Sequence, residues 1–182
     1  VSLVGESGCG KSTVAGILGG RNRGYSGSVT VGGIPLSQVR EEELMKRVVL
    51  VRSNSYLFKG TVEENLKMAK PDATKEEMET VLQKVNLLGF LETQDGLQTQ
   101  LLEKAANLSG GQCQRLAIAR ALLRREASVY IFDEAASNID VESEALIMEV
   151  IHELAKTKTV LLISHRLANV VQSDQIYFLR GG

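Results

Sequence analysis

Val1-Ser2-Leu3-Val4-Gly5-Glu6-Ser7-Gly8-Cys9-Gly10-Lys11-Ser12-Thr13 opens the chain with a β-prone run, a glycine-rich turn and the first residues of a helical pattern. A strand that passes through such a turn into a helix aims several backbone N–H groups at one point, where the helix dipole also favours negative charge. Gly5 to Thr13 therefore read as a phosphate cradle. Lys11 is placed to reach the β- and γ-phosphates of a nucleotide, and the Ser12 hydroxyl to complete the coordination of Mg²⁺.

Outward from this stretch, short apolar runs alternate with helical patterns. Val48 to Val51, Val129 to Phe132, Val160 to Ile163 and Ile176 to Leu179 read as buried strands alongside Val1 to Val4, an alternation that predicts an α/β fold with a mostly parallel sheet flanked by helices. Gly27 to Gly33 reads as a short strand ending in a Gly-Gly turn, part of a peripheral antiparallel sheet. Between Val141 and Lys156, Leu146, Ile147, Val150, Ile151 and Leu154 form one apolar helical stripe expected to face the sheet. From Thr61 to about Gln94 two amphipathic helical patterns follow each other without a strand, which predicts an inserted α-helical subdomain over about 54–110 within a single domain, 1–182.

Composition narrows the function classes. At 182 residues with 43% hydrophobic and 24% charged side chains, the chain suits one packed globular core. Its 21 basic and 22 acidic residues nearly cancel, so no net field recruits nucleic acid. The longest apolar runs are far short of the roughly 20 residues that span a bilayer. Cys9 and Cys113 have no second cysteine at metal or redox spacing. The chain starts without Met and stops at Gly181-Gly182, and both ends read as cut.

Two further stretches carry chemistry. Val129-Tyr130-Ile131-Phe132-Asp133-Glu134 is an apolar strand ending in two acids, at the carboxyl end where parallel sheets bind ligands. There Asp133 is placed to hold Mg²⁺ through water, and Glu134 to orient and polarise an attacking water. Alone, the two acids would serve equally as a cap for the next helix. Leu108-Ser109-Gly110-Gly111-Gln112 precedes another helical pattern, with Ser109 at a natural N-cap, a role that a lone serine fills without any ligand.

Taken in this order, the phosphate loop, the Leu-Ser-Gly-Gly-Gln pentapeptide and the acidic strand resemble the nucleotide-binding domain of an ATP-binding-cassette (ABC) transporter of export type, over essentially the whole chain. The resemblance implies a P-loop NTPase fold, ATP and Mg²⁺ as ligands, and ATP hydrolysis coupled to transport. It also implies a place at the cytoplasmic face of a membrane, with separate transmembrane domains and a second nucleotide-binding domain as partners, in a head-to-tail homo- or heterodimer. Gly5 to Thr13 would hold one nucleotide, while Ser109, Gly110, Gly111 and Gln112 would serve the partner's. Lys11, Glu134 and His165 would be catalytic, His165 matching the histidine that contacts the γ-phosphate. Ser137-Asn138-Ile139-Asp140 resembles the D-loop, Leu57 to Asn65 a stretch found in exporters, and Glu103 the acidic position of the exporter X-loop.

Departures from the pattern qualify these roles. Ser53 stands where a glutamine normally contacts Mg²⁺ and the attacking water, and serine is too short for the same reach. Leu102 and Ala105 stand where exporter X-loops usually have glycine. Ser53 keeps a second reading open, a weakly hydrolysing, nucleotide-gated dimerisation or regulatory domain of a heterodimeric transporter. A soluble ABC ATPase of DNA repair or translation is disfavoured by the exporter-like stretch and by the absence of a basic patch. A GTPase is disfavoured because no Asn-Lys-x-Asp element occurs. Cys9, inside the phosphate loop at a helix N-terminus, is expected to be a reactive thiol that nucleotide protects.

Overall fold

The computed structural model describes residues 1–137 and 139–181. In chain order the elements are β1 (Ser2–Gly5), α1 (Lys11–Leu18), β2 (Thr30–Val31), β3 (Ile34–Pro35), α2 (Glu41–Arg47), β4 (Val48–Arg52), β5 (Gly60–Thr61) and α3 (Val62–Lys67). Then come α4 (Lys75–Lys84), α5 (Leu88–Glu92), β6 (Gln100–Leu101), α6 (Gly110–Leu122), β7 (Val129–Asp133), α7 (Val141–Ala155), β8 (Thr159–Ile163), α8 (Leu167–Val170) and β9 (Ile176–Leu179). The chain forms two compact units, the first from Val1–Leu50, Glu126–Glu134 and the residues from Lys158 onward, the second from Val51–Arg125 and Ala135–Thr157.

In the first unit the β-branched runs assemble a five-stranded sheet in the order β4-β7-β8-β1-β9. The β7–β8, β8–β1 and β1–β9 ladders are parallel, as uninterrupted apolar strands predict. Helix α1 lies against β1 and β7. Leu3, Ala15, Leu44, Val48, Ile131 and Ile163 form the buried cluster between sheet and helices. The expected peripheral strand is half of an antiparallel hairpin, with Thr30 opposite Pro35 and Val31 opposite Ile34. Its turn residues, Gly32 at φ 59° and Gly33 at φ 82°, supply the left-handed pair that a two-residue hairpin requires.

Reciprocal caps start α3, α4 and α6 of the second unit. Thr61 with Glu64, Thr74 with Glu77 and Ser109 with Gln112 each exchange side-chain-to-backbone hydrogen bonds, so α3, α4 and α6 begin where Ser or Thr precedes an acid or amide by three residues. Helix α4 packs on α6, and Leu66, Met78, Leu82, Leu91, Leu116 and Ile118 are fully buried. Asn65 is buried as well: its side chain donates to the carbonyls of Phe58 (2.8 Å) and Thr61 (3.0 Å) and accepts from the Phe58 amide (2.9 Å). That one amide fixes the loop running into α3.

Three features differ from the sequence reading, the first being β9, read as a buried strand but exposed at Ile176, Tyr177 and Phe178 on the edge of the sheet. In α7 the buried positions are Ser143, Glu144, Ile147, Met148 and Ile151, while Leu146, Val150 and Leu154 are half-buried. The face turns by about one residue from the expected stripe because Met148 and Ser143 continue it on the other side of Ile147. The pairing of β5 with β6 is also new, since two-residue strands carry no periodicity to read.

Lys104 (φ 56°) and Ala105 (φ 53°) both lie in the left-handed region, and Lys104 is exposed. Of the two X-loop positions expected to favour glycine, Ala105 adopts this conformation and Leu102 (φ −71°) does not. Lys104→Gly relieves a left-handed cost of ~1–2 kcal/mol against a glycine entropy cost of ~0.5–1 kcal/mol, so a net stabilisation of about 0.5–1 kcal/mol is expected in urea unfolding. A lower unfolding midpoint would show that the Lys104 side chain contributes more than the backbone strain removes.

Glu77 accepts from Lys70 at 2.6 Å and from the Thr74 amide at 3.1 Å, and Arg125 lies 3.7 Å away. The Lys70 ammonium, then the Thr74 amide, hold its carboxyl below the ordinary 4.5. A depressed carboxylate contributes stability that is present above the ordinary value and lost as pH falls through the folded one. Thermal melts from pH 7 to pH 3 should therefore show Glu77→Gln less stable than the parent at neutral pH, with the difference closing below about pH 4.5. A gap that stays constant with pH would assign the loss to the α4 cap alone.

Candidate functional site

The register of the parallel ladder sets the site. Ile163 lies opposite both Leu3 and Asp133, so β1, β7 and β8 finish at one edge of the sheet. The phosphate loop leaves β1 just beyond Leu3, Glu134 directly follows Asp133, and His165 stands two residues past Ile163. Three stretches far apart in sequence thus meet within the first unit, as parallel α/β sheets place their ligand sites.

Two glycines are fixed by geometry. A Cβ on Gly5 (φ 155°) would overlap the Leu179 carbonyl oxygen and Cys9 Sγ, and Gly10 caps α1 in the left-handed conformation at φ 98°. The loop they allow bends back on the side chain of Lys11, which is buried and donates to the carbonyls of Gly5 (2.9 Å) and Glu6 (2.7 Å). Cys9 Sγ lies 3.8 Å from the same ammonium, and Cys9 is buried, which runs against the accessible thiol expected from its place at a helix N-terminus.

At the end of β7 the buried Asp133 accepts from Ser12 Oγ at 3.1 Å. Glu134 follows at φ 52°, a left-handed conformation unusual for a residue with a side chain, held by its amide's bond to the Ile163 carbonyl (3.0 Å). The bend brings its carboxylate to His165 Nε2 at 2.5 Å. Ser7, Gly8, Gly10, Lys11, Ser12, Thr13, Glu134 and His165 surround a cavity of about 220 Å³. This is smaller than the ~300–1,000 Å³ of pockets that enclose whole ligands and suits a chain of phosphates. Every residue lining it was a sequence candidate. Gly5, Glu6 and Cys9 belong to the loop but not to the cavity wall.

The remaining candidates lie in the second unit. Ser109 caps α6, its hydroxyl accepting from the Gln112 amide (3.2 Å) while Gln112 Oε1 accepts from the Ser109 amide (2.8 Å). Gly110 is the first residue of α6. Gly111 has Ile139 so close that a Cβ would stand 3.0 Å from its Cγ2. Asp140 caps α7 by accepting from the Ser143 amide at 2.8 Å, which holds its carboxyl below the usual range. Asn138 of the D-loop stretch lies outside the described residues. Ser53 sits in the turn after β4, where Ser55 Oγ donates to the Arg52 carbonyl (2.9 Å) and accepts from the Arg52 amide (3.1 Å). Gln114 of α6 also donates to that carbonyl, at 3.2 Å. Ser55 and Gln114 were missed by the sequence reading because their partner is a backbone atom that no motif specifies.

Among the described residues no group of three or more His, Cys, Asp or Glu could hold a metal by itself. Ser12 and Asp133 place two oxygen donors side by side, of the hard type that Mg²⁺ prefers. No helix among the described residues is long and apolar enough to cross a membrane.

Comparison with known proteins agrees with this architecture. An uncharacterized ABC transporter ATP-binding protein of Haemophilus influenzae is 50% identical over 180 residues, 99% of this chain and 32% of its own length. An ATP-dependent lipid A-core flippase of Chromobacterium violaceum is 38% identical over 183 residues, 100% of this chain and 31% of the relative. The chain thus spans about a third of the length of each of these two relatives. The solved structure of a bacterial Atm1-family ABC exporter with ATP bound superimposes with a TM-score of 0.91 at 30% identity, over 98% of this chain and 31% of that one. The ABC transporter family profile matches residues 1–137, and with the parallel sheet and phosphate loop described above it shows that the chain belongs to the ABC transporter family.

Proposed function

We propose that this chain is the ATP-binding and ATP-hydrolysing domain of an export-type ABC transporter, working at the cytoplasmic face of a membrane on transmembrane domains. The carrying observation is the cavity in which Lys11, Ser12, Glu134 and His165 converge. Its size suits a triphosphate, and its groups are those that phosphoryl transfer needs: a cation for the phosphates, oxygens for a hard metal and a carboxylate beside the reacting end. Relatives named as an ABC transporter ATP-binding protein and a flippase, and a structural neighbour with ATP bound, support the same reading.

On this reading Lys11 exchanges the neutral carbonyls of Gly5 and Glu6 for anionic oxygens of the β- and γ-phosphates, a stronger, charge-assisted pairing. Ser12 and Asp133 hold Mg²⁺, which when bound neutralises charge on the phosphates. Glu134 receives a proton from the attacking water as the new P–O bond forms at the γ-phosphorus. The bond to the β–γ bridging oxygen breaks, and ADP departs with that electron pair. His165, whose Nε2 lies 2.5 Å from Glu134 Oε1, holds the carboxylate and reaches the γ-phosphate. Ser109, Gly110, Gly111 and Gln112, with Asp140, serve the nucleotide of a second domain bound head to tail.

Replacement of the base should separate binding from chemistry. Glu134→Gln keeps the shape of the side chain, so MgATP binding by calorimetry is expected to persist while turnover falls ~10²–10⁴-fold. Full activity in this variant would remove Glu134 from the role.

Ser53 favours a second reading, a nucleotide-gated dimerisation domain of a heterodimeric transporter with slow turnover of its own. Single-turnover ATP cleavage distinguishes the two. If this site is weakened by the short side chain, Ser53→Gln should raise the cleavage rate by roughly tenfold or more, the scale of a positioned water-orienting group. An unchanged, fast rate would show that Ser53 does not limit the motor.

A further inference from the structure

The turn that carries Ser53 is tied to the helix that carries the Leu-Ser-Gly-Gly-Gln pentapeptide at the Arg52 carbonyl, and further along α6 Arg120 donates to the neighbouring Tyr56 carbonyl at 2.8 Å. Arg52 O accepts from the Ser55 amide (3.2 Å), from Ser55 Oγ (2.9 Å) and from Gln114 Nε2 (3.2 Å). The Arg52 amide in turn donates to Ser55 Oγ (3.1 Å), so the Ser55 hydroxyl closes the turn from both sides. Gln114 is 4% exposed, so most of its side chain is withdrawn from solvent. It stands five residues beyond the capping serine, Ser109, on the first turns of α6. An amide donor this deep is costly to leave unmade, so the bond resists separation of turn and helix.

We propose that Ser55 and Gln114 are positioning residues that make the Arg52–Ser55 turn and the start of α6 move as one piece. The side chain at position 53 and the pentapeptide at the head of α6 then share one orientation: displacing either shifts the other. The consequence for catalysis rests on the ATP-hydrolysing reading above. Neither residue lines the phosphate cavity, so their influence on turnover passes through the geometry of the turn and the helix. A loss of such geometry lowers kcat while leaving nucleotide affinity in place.

The test is hydrogen–deuterium exchange on the full-length protein, with Ser55→Ala, Ser55→Thr and Gln114→Leu. Ser55→Ala is expected to speed exchange in the turn and also across Ser109 to Gln114, and Gln114→Leu to speed exchange at the Arg52 and Ser55 amides. Ser55→Thr, which keeps the hydroxyl, should restore the parent pattern. Faster exchange confined to the neighbourhood of each substitution would overturn the proposal whether or not the protein hydrolyses ATP. Steady-state kinetics form the second arm. Ser55→Ala and Gln114→Leu should each lower kcat roughly 10–100-fold with KM nearly unchanged, and together no further than the worse of the two. Losses that multiply, or a fall in melting temperature with kcat intact, would leave the joint a structural one only. A parent protein that binds ATP without cleaving it would overturn the hydrolytic reading, and the exchange experiment would still decide the joint.

Discussion

Ile163 is paired on one side with Leu3 and on the other with Asp133, and the candidate site depends on that double register. Because side chains alternate along a strand, a shift of one residue in either ladder would turn Asp133 or the residues before Gly5 to the opposite face. The buried cluster of Leu3, Ile131 and Ile163 opposes such a shift, since these side chains are close-packed in this register and a slip would leave voids and overlaps among them. A hydrophobic constraint thus positions polar groups: the core fixes the register, and the register brings the loop, the acids and the histidine together.

Within the site every reactive group already has a partner. Lys11 is held by two carbonyls, Ser12 donates to Asp133, and Glu134 meets His165. A phosphate ligand therefore exchanges bonds rather than adding them, and the net gain is the difference between charge-assisted and neutral pairings. Glu134 adds a backbone term. Its φ of 52° costs on the order of 1–3 kcal/mol, tolerated because the Ile163 carbonyl and the His165 ring hold both ends of the residue.

The sequence disclosed the cavity almost entirely, because phosphate recognition by backbone amides demands glycines at fixed spacing and a lysine and hydroxyl immediately after them. Strands were legible for a related reason: Val129 to Phe132 and Val160 to Ile163 are apolar on both faces, as buried parallel strands must be. What escaped reading was set by contacts distant in sequence. Gln114 and Asn65 look like polar residues of amphipathic helices, and only the fold shows that each reaches a loop carbonyl. The face of α7 was off by a residue because a stripe two residues wide has no centre that periodicity alone can choose. The left-handed bend at Glu134 left no trace, since glutamate is not a residue that announces such a backbone.

The interleaving of the two units has a consequence for the order in which the molecule can assemble. Most of the second unit is one unbroken segment, Val51–Arg125, whose helices carry local caps and need few distant contacts. The first unit must gather three segments, and β1 acquires its neighbours only when β8 and β9 have been synthesised. Segments rich in local contacts close quickly, whereas parallel pairing waits for long loops to close. As the chain leaves the ribosome, the helical segment has what it needs well before the sheet does. The phosphate loop, though made before the helical segment, is among the last of these parts to take its final shape, and until then β1 is an unpaired strand in need of protection from aggregation.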